Sequence, residues 1–537
     1  MSPSVLENKV DYLKQREELI DADRALRRDR LFAESSSALK LEREADKVVR
    51  RIRAEEAVGV WKEDHLDVPH PFPGMEFLTG KGIIERTKIF KILSRMPKGA
   101  LLHTHIGASG DPRVLLQLAL KYSVMHVRVP ERLTSANIGS SLPQFMAFPD
   151  DSVALEGLGI TSTDYVPNSW VNVSKARDLF DTSLGGPEGF DQWVINGMTI
   201  RPAEAYGTHN TVEKIWKKFQ STFTVLGGLI RFLPIFKGYI KALLLSSVND
   251  GIFYLEPRCD FFFANGIVTA DGKRNVTSRD IVQLFEKTVH EVKEELRKEG
   301  RGDKFLGARM IYTAFKAVSP ENLYWFLDDC ISLKKQFPHL IAGFDLVGHE
   351  DTLRPIIDYI EPLLYFRKRQ AEEGVEIPFI FHAGETLGDG NAADSNVYDA
   401  ILLGSKRIGH GYSLVKHPKL MQMCRERNIL LEVCPVSNEI LRLTSSMPMH
   451  PLPIVLNNGI PVALGPDDPL IFGNAGLTYD FFQVLVASEI NGLTTLSVLA
   501  RDSILFSMMP PEEKSKALAI WEAEWKLFLE HIVFQYK

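Results

Sequence analysis

From about residue 100 to the C-terminus, short apolar segments alternate with amphipathic stretches of helical length. The apolar segments are 101–102, 251–255, 308–312, 341–346, 377–381, 407–408, 429–434 and 461–464. Between them run stretches such as 278–298, 320–335 and 355–373, whose apolar residues repeat at helical spacing. Eight strands alternating with helices predict an α/β architecture with a parallel sheet, wound as a TIM (β/α)8 barrel. The length of 537 residues does not force several domains, because such barrels with insertions can exceed about 400 residues.

In a barrel of this kind the active site forms at the C-terminal strand ends. His103 and His105 stand two apart after the first segment, so on an extended chain both imidazoles face one side. His382 closes the fifth segment, His410 follows the sixth, and Asp467-Asp468 follow the eighth. Strands one and eight are neighbours in a closed barrel, and strand five lies across its mouth. His103, His105, His382 and Asp467 can therefore converge on one ion. Three imidazoles and a carboxylate suit zinc, with a position left open for water. Glu385 lies just past the strand end, where it can face the site without ligating and do acid/base work. His410 can orient or deprotonate the water, and Asp468 can accept a hydrogen bond from substrate. Each residue alone has a plain structural reading: a loop pair for His382 and Glu385, a core histidine for His410, a turn or helix cap for Asp467-Asp468. A single metal site explains all of them at once.

These residues sit in longer motifs. They read Met96-Pro97-Lys98-Gly99-Ala100-Leu101-Leu102-His103-Thr104-His105, Gly343-Phe344-Asp345-Leu346-Val347-Gly348-His349-Glu350-Asp351 and Phe381-His382-Ala383-Gly384-Glu385-Thr386. Further on come Arg407-Ile408-Gly409-His410-Gly411, Glu432-Val433-Cys434-Pro435-Val436-Ser437-Asn438 and Asp467-Asp468-Pro469. From about residue 80 onward the chain resembles the adenosine deaminase superfamily, and within it the adenosine deaminase-related growth factor group. The resemblance implies one zinc per chain held by His103, His105, His382 and Asp467. It implies Glu385 as the proton donor to purine N1 while hydroxide adds to C6, and His410 beside that hydroxide. It implies that Asp468 and Gly348 hold the base, and that Trp216 and Phe219 line the substrate pocket. A helix packing Trp216, Phe219 and Phe223 into the core is the other reading of that last segment. The implied reaction is hydrolytic deamination of adenosine or 2′-deoxyadenosine. The alternatives are another adenine-type compound, with a modified sugar or N6 substituent, and an inactive binding protein of the same fold. Related barrel hydrolases with two metals use a lysine at the end of strand four. This chain has Leu346-Val347-Gly348-His349 there.

Two departures fall on the sugar side. Ile106 and Gly107 stand where the family carries an aspartate that handles the ribose, and Phe315 aligns with a pocket histidine of the growth-factor group. A more apolar sugar side is expected.

A net charge of −6 argues against a general nucleic-acid surface. The most apolar stretch, 225–248, is interrupted by Arg231, Lys237 and Lys241 and reads as a packed helix rather than a membrane span. Four widely spaced cysteines, and charge throughout the first 30 residues, lead to the expectation of a reducing, cytoplasmic protein. Residues 1–65 read as a helical arm with an apolar stripe of Leu6, Val10, Leu13 and Leu19, either packed on the body or joining a homodimer. A helix is expected over 82–93 and another over 114–122. The Ser-, Pro- and Gly-rich stretch 125–210 reads as an irregular insertion into a barrel domain of residues 80–537.

Overall fold

The computed structural model describes residues 9–31, 37–66, 68–149, 159–261, 266–273 and 276–537. The core is a succession of short parallel strands. Gly99–Leu101 pairs with Ile252–Leu255, and that strand pairs with Gly307–Ala308. After Glu256-Pro257 the second strand resumes as Arg258–Asp260, which pairs with Met310–Phe315, and this with Ile341–Val347. Ile380–Ala383, Arg407–His410, Leu430–Val433 and Val462–Leu464 form a third ladder in chain order. Single parallel bridges, Phe344 to Phe379 and Thr104 to Asp467, connect the ladders from the fourth strand to the fifth and from the eighth to the first. Strand residues are buried along nearly their whole length, as expected where helices cover a parallel sheet.

The eight expected segments all appear as strands, with local shifts. The fifth starts at Ile380 rather than 377, because Pro378 lacks the N–H a ladder needs. The second carries an extra polar half, Arg258–Asp260, which apolar patterning does not register. The expected helix over 82–93 is two helices, Phe77–Ile84 and Lys88–Leu93, the second capped by Thr87 accepting from Phe90 N. The apolar stretch 225–248 divides between Val212–Ile230 and Leu233–Asn249, with Arg231 and Phe232 at the turn.

The described residues of 125–210 are more ordered than their composition predicts. Met125–Arg128 pairs antiparallel with both Gln144–Ala147 and Val171–Asn172, and the helix Gly186–Met198 buries Phe190, Trp193 and Val194. In the N-terminal arm, helix Lys9–Asp23 buries nothing. Val10, Leu13 and Leu19 are all exposed, while Leu6 lies outside the described residues. The arm meets the body further on. Arg28 makes a paired contact with Asp502 at 2.8 and 3.0 Å, and helix Ser37–Val58 lies against Pro511–Tyr536, where Trp525 Nε1 donates to Glu42. No helix among the described residues is long and apolar enough to cross a membrane.

Candidate metal centre and active site

The four candidate ligands come from three places on the sheet. His103 and His105 follow Gly99–Leu101, His382 lies within Ile380–Ala383, and Asp467 follows Val462–Leu464. One ligand atom from each lies within 4.8 Å of all the others. Nε2 of His103 and of His105 stand 3.2 and 3.3 Å from the same Asp467 oxygen. Asp467 and His410 both have left-handed backbone, with φ of 62° and 61°. That region is unfavourable for non-glycine residues and is found where function demands a particular side-chain direction.

Behind the ligands lies a buried charge network. His103 Nδ1 is 2.8 Å from Glu432, and His382 Nδ1 is 2.6 Å from Asp345. Arg258 donates to both carboxylates, at 2.7 Å to Asp345 and 2.8 Å to Glu432, and Arg407 donates to Glu432 and to Glu256. These charged side chains are fully buried. A carboxylate on Nδ1 fixes the tautomer and leaves the Nε2 lone pair for a metal. His103 Nε2 is buried without a hydrogen-bond partner, a state that costs about 1–3 kcal/mol if nothing occupies the lone pair. Burial lowers the pKa of His105. It holds His382 well below the ordinary range, with the Arg258 charge adding to it. Burial opposes ionisation of Asp467, yet the close approach of the His103 and His105 imidazoles holds its carboxyl well below the usual range. Neutral imidazoles and an ionised carboxylate are what a borderline divalent cation such as zinc requires, so these residues fit one. A second grouping, His103, His410, Cys434 and Asp467, is equally compact. It is the poorer donor set, because burial and the nearby Asp467 push the Cys434 thiol well up.

Glu385 follows the strand end, and its backbone N–H donates to Glu350 at 3.0 Å. Its side chain is buried, Oε1 has no hydrogen-bond partner, and His410 Nε2 is 3.7 Å away. Burial, then the charges of Asp467 and Glu350, raise its pKa well above the ordinary carboxyl value. Burial and the adjacent Asp467 do the same to Asp468, whose Oδ1 is also buried and unpartnered. Burial keeps His410 neutral, and Asn438 Nδ2 lies 3.2 Å from its Nδ1. The donated amide proton leaves the ring's own proton on Nε2, facing Glu385.

These groups open into a cavity of about 690 Å³. His105, His382, Glu385, His410, Asp467 and Asp468 line its floor, while Trp216, Phe219 and Gly348 line its wall. His103 lies behind, fully buried. Trp216 stacks on His349, with centroids 4.1 Å apart and planes 11° from parallel. Gly348 has φ of 121°, and a Cβ there would come within 2.6 Å of Leu353 and 2.7 Å of Phe315. Trp216 and Phe219 therefore serve both readings given above: they pack, and they face the cavity. Ile106, Gly107 and Phe315 line it too, which makes that side apolar.

Apolar patterning passed over Arg258, Asp345, Glu432 and His349. A signal was present for two of them. Asp345 and Glu432 are single carboxylates inside otherwise apolar strands, where a charge survives only if paired.

The model of the family described as "Adenosine deaminase" matches residues 203–520. "Adenosine deaminase 2" of Sus scrofa is 31% identical over 468 residues, covering 86% of this chain and 84% of that protein. "Adenosine deaminase" of Lutzomyia longipalpis is 32% identical over 450 residues, covering 83% and 80%. Among solved structures, a zinc-bound amidohydrolase from Burkholderia ambifaria superposes with a TM-score of 0.53 at 15% identity, covering 86% of this chain and 98% of that one. The N6-methyl-AMP deaminase of Arabidopsis thaliana gives 0.51 at 15% identity, covering 81% and 98%. These two show a shared fold. With more than half its length matched by the family model, and with relatives above 30% identity across most of both chains, this chain belongs to the adenosine deaminase family of hydrolases.

Proposed function

We propose that this protein hydrolytically deaminates adenosine or 2′-deoxyadenosine, releasing ammonia, in the mouth of a closed (β/α)8 barrel that holds one zinc ion. The observation carrying this reading is the buried His103, His105, His382 and Asp467 quartet beside Glu385, whose Oε1 is buried without a hydrogen-bond partner. When bound, zinc lowers the pKa of a coordinated water to about 7, which supplies the nucleophile at neutral pH. Asp345 and Glu432 orient the ligand imidazoles. Glu385, kept protonated by burial and neighbouring carboxylates, gives its proton to purine N1 as the C6–O bond forms. The proton on the added oxygen then passes through Glu385 to the departing amine as the C6–N6 bond breaks, leaving a 6-oxo purine that keeps its N1 proton. His410 donates from Nε2 and orients the attacking oxygen. Asp468, whose acid form is favoured by burial and the adjacent Asp467, hydrogen-bonds the base. Gly348, where a Cβ would run into Leu353 and Phe315, brings bare backbone to the cavity wall near stacked Trp216 and His349, a surface suited to a flat purine.

The test is the fall in adenine-band absorbance on incubation with adenosine. Glu385→Gln should lower kcat at least about 10²-fold, and a retained rate removes the proton donor. Metal analysis should find one zinc per chain. The apolar sugar side favours a second substrate class at the same centre: adenine compounds with a less polar sugar or an N6 substituent. A screen of 2′-deoxyadenosine, sugar-modified and N6-methylated adenosines separates the two readings by kcat/KM.

A further inference from the structure

A second cavity, of about 810 Å³, opens at the opposite end of the strands. Its rim includes Ile341, the first residue of the fourth strand, together with Pro378 and Lys406, which stand just before the fifth and sixth. Pro378 and His382 are four residues apart on one extended segment, which places the two cavities about 13 Å apart along the strand. The other wall is the 505–509 turn between the last two helices.

Its chemistry is the reverse of the rest of the chain. The protein carries a net charge of −6. Yet Arg309, Lys334, Lys335, Lys406 and Lys514 line this cavity, with Glu376 the one acidic residue in its lining. Two cations are compensated: Arg309 by Glu513 at 3.0 Å and Lys335 by Glu373 at 2.6 Å. Lys334 and Lys514 rest their ammonium groups on backbone carbonyls, Lys334 on Pro338 and Ile341, Lys514 on Leu505. Lys406 is exposed and, among the described residues, pairs with no carboxylate. Three uncompensated cations from separate elements thus face one carboxylate. Burial, with the Arg309 charge, lowers the pKa of Lys334, and burial also lowers that of Lys514, where Arg407 adds to the effect and Glu256 opposes it. The lining therefore carries more positive than negative charge, which an entering anion would offset.

We propose that this cavity binds a small organic phosphate carrying at least two negative charges, its phosphates on Lys406, Lys514 and Lys334 and its organic part against Phe506, Met508 and Pro378. Two observations favour a polyphosphate over a monocarboxylate. Three spread cations outnumber a single negative charge, and 810 Å³ exceeds what a carboxylate fills. The site is independent of the deaminase reading, because it shares no lining residue with the catalytic cavity.

The test is calorimetric titration of the zinc-loaded full chain with uridine 5′-diphosphate, which has the phosphates but no adenine, at about 0.15 M salt. Saturable binding is expected, weakened at least about tenfold in Lys406→Gln/Lys514→Gln and unchanged in Trp216→Ala, which alters only the catalytic cavity. As a readout free of any variant, uridine 5′-diphosphate should protect Lys406 from an amine-acylating reagent, measured by mass spectrometry. Absence of saturable binding below millimolar concentration, or binding lost in Trp216→Ala and kept in the double variant, overturns the proposal. So does unchanged acylation of Lys406.

Discussion

Glu385 and the ligand-orienting carboxylates show how single residues in this protein take their chemistry from their surroundings. Glu385 and Asp467 carry the same functional group in the same cavity. Glu385, lacking hydrogen bonds to its Oε1, is pushed to the protonated side, whereas Asp467, approached by two imidazoles, is held ionised. Asp345 works one step further out. It accepts from His382 N at 2.8 Å, bonds His382 Nδ1 at 2.6 Å and pairs with Arg258. Asp345→Asn keeps the shape but puts an amide where three donors converge. It should weaken metal affinity about 10–100-fold in a chelator competition. Glu385→Gln should leave that affinity nearly unchanged, so the pair of variants separates metal orientation from proton transfer.

Two elements bear directly on the site and on assembly. The first strand begins at Gly99, whose φ is 80° and where a Cβ would lie 2.4 Å from the Ala500 carbonyl oxygen and 2.6 Å from Ser503 Oγ. Ser503 Oγ in turn receives the N–H of Ala100. Gly99→Ala therefore strains the strand that carries His103 and His105. It should lower Tm by about 1–3 °C in a thermal scan. The helix Lys9–Asp23 presents Val10, Leu13 and Leu19 to solvent, while Arg28 and helix Ser37–Val58 already anchor the arm. If this helix joins two copies, removing residues 1–23 should halve the mass in light scattering and leave the Arg28–Asp502 anchor in place. An unchanged mass assigns the exposed stripe another role. The same helix shows why an apolar stripe was only half legible: periodicity identifies a helix and its apolar face, but not what that face meets.

At the scale of the whole molecule, stability is tied to pH through buried acids outside the metal ligands. Glu439 accepts from Phe77 N at 3.0 Å and from the Tyr206 hydroxyl at 2.9 Å, joining the helix Pro435–Ile440 after the seventh strand to the segments around residues 77 and 206. Burial raises its pKa to about 8 from an ordinary 4.5. Between these values the native state holds a proton that the unfolded chain releases, so stability present at acidic pH is lost as pH rises through the window. Glu439→Gln fixes the neutral form. The difference in unfolding free energy between variant and wild type should grow by about 1–3 kcal/mol in the variant's favour from pH 5 to pH 8.5. A difference independent of pH would show that Glu439 is ionised throughout.

The alternation of apolar segments and amphipathic helices was enough to read eight strands, their order, and the placing of His103, His105, His382, Glu385, His410 and Asp467 at strand ends. Strand burial and helix amphipathicity are local properties, written here as short apolar runs and as a period of 3.6 residues. What lay beyond reach was set by partners distant in the chain. Arg258 could not be recognised as part of a strand until Asp345 and Glu432, 87 and 174 residues away, were seen to neutralise it. The sheet in 125–210 rests on pairings between short, weakly patterned segments. The basic cavity at the far end of the strands gathers Arg309, Lys334, Lys406 and Lys514 from four separate elements. Local pattern decides which residues are buried and which way a strand end points; only the tertiary structure decides which charges meet, because Coulomb energy depends on distance in space and burial, not on distance along the chain.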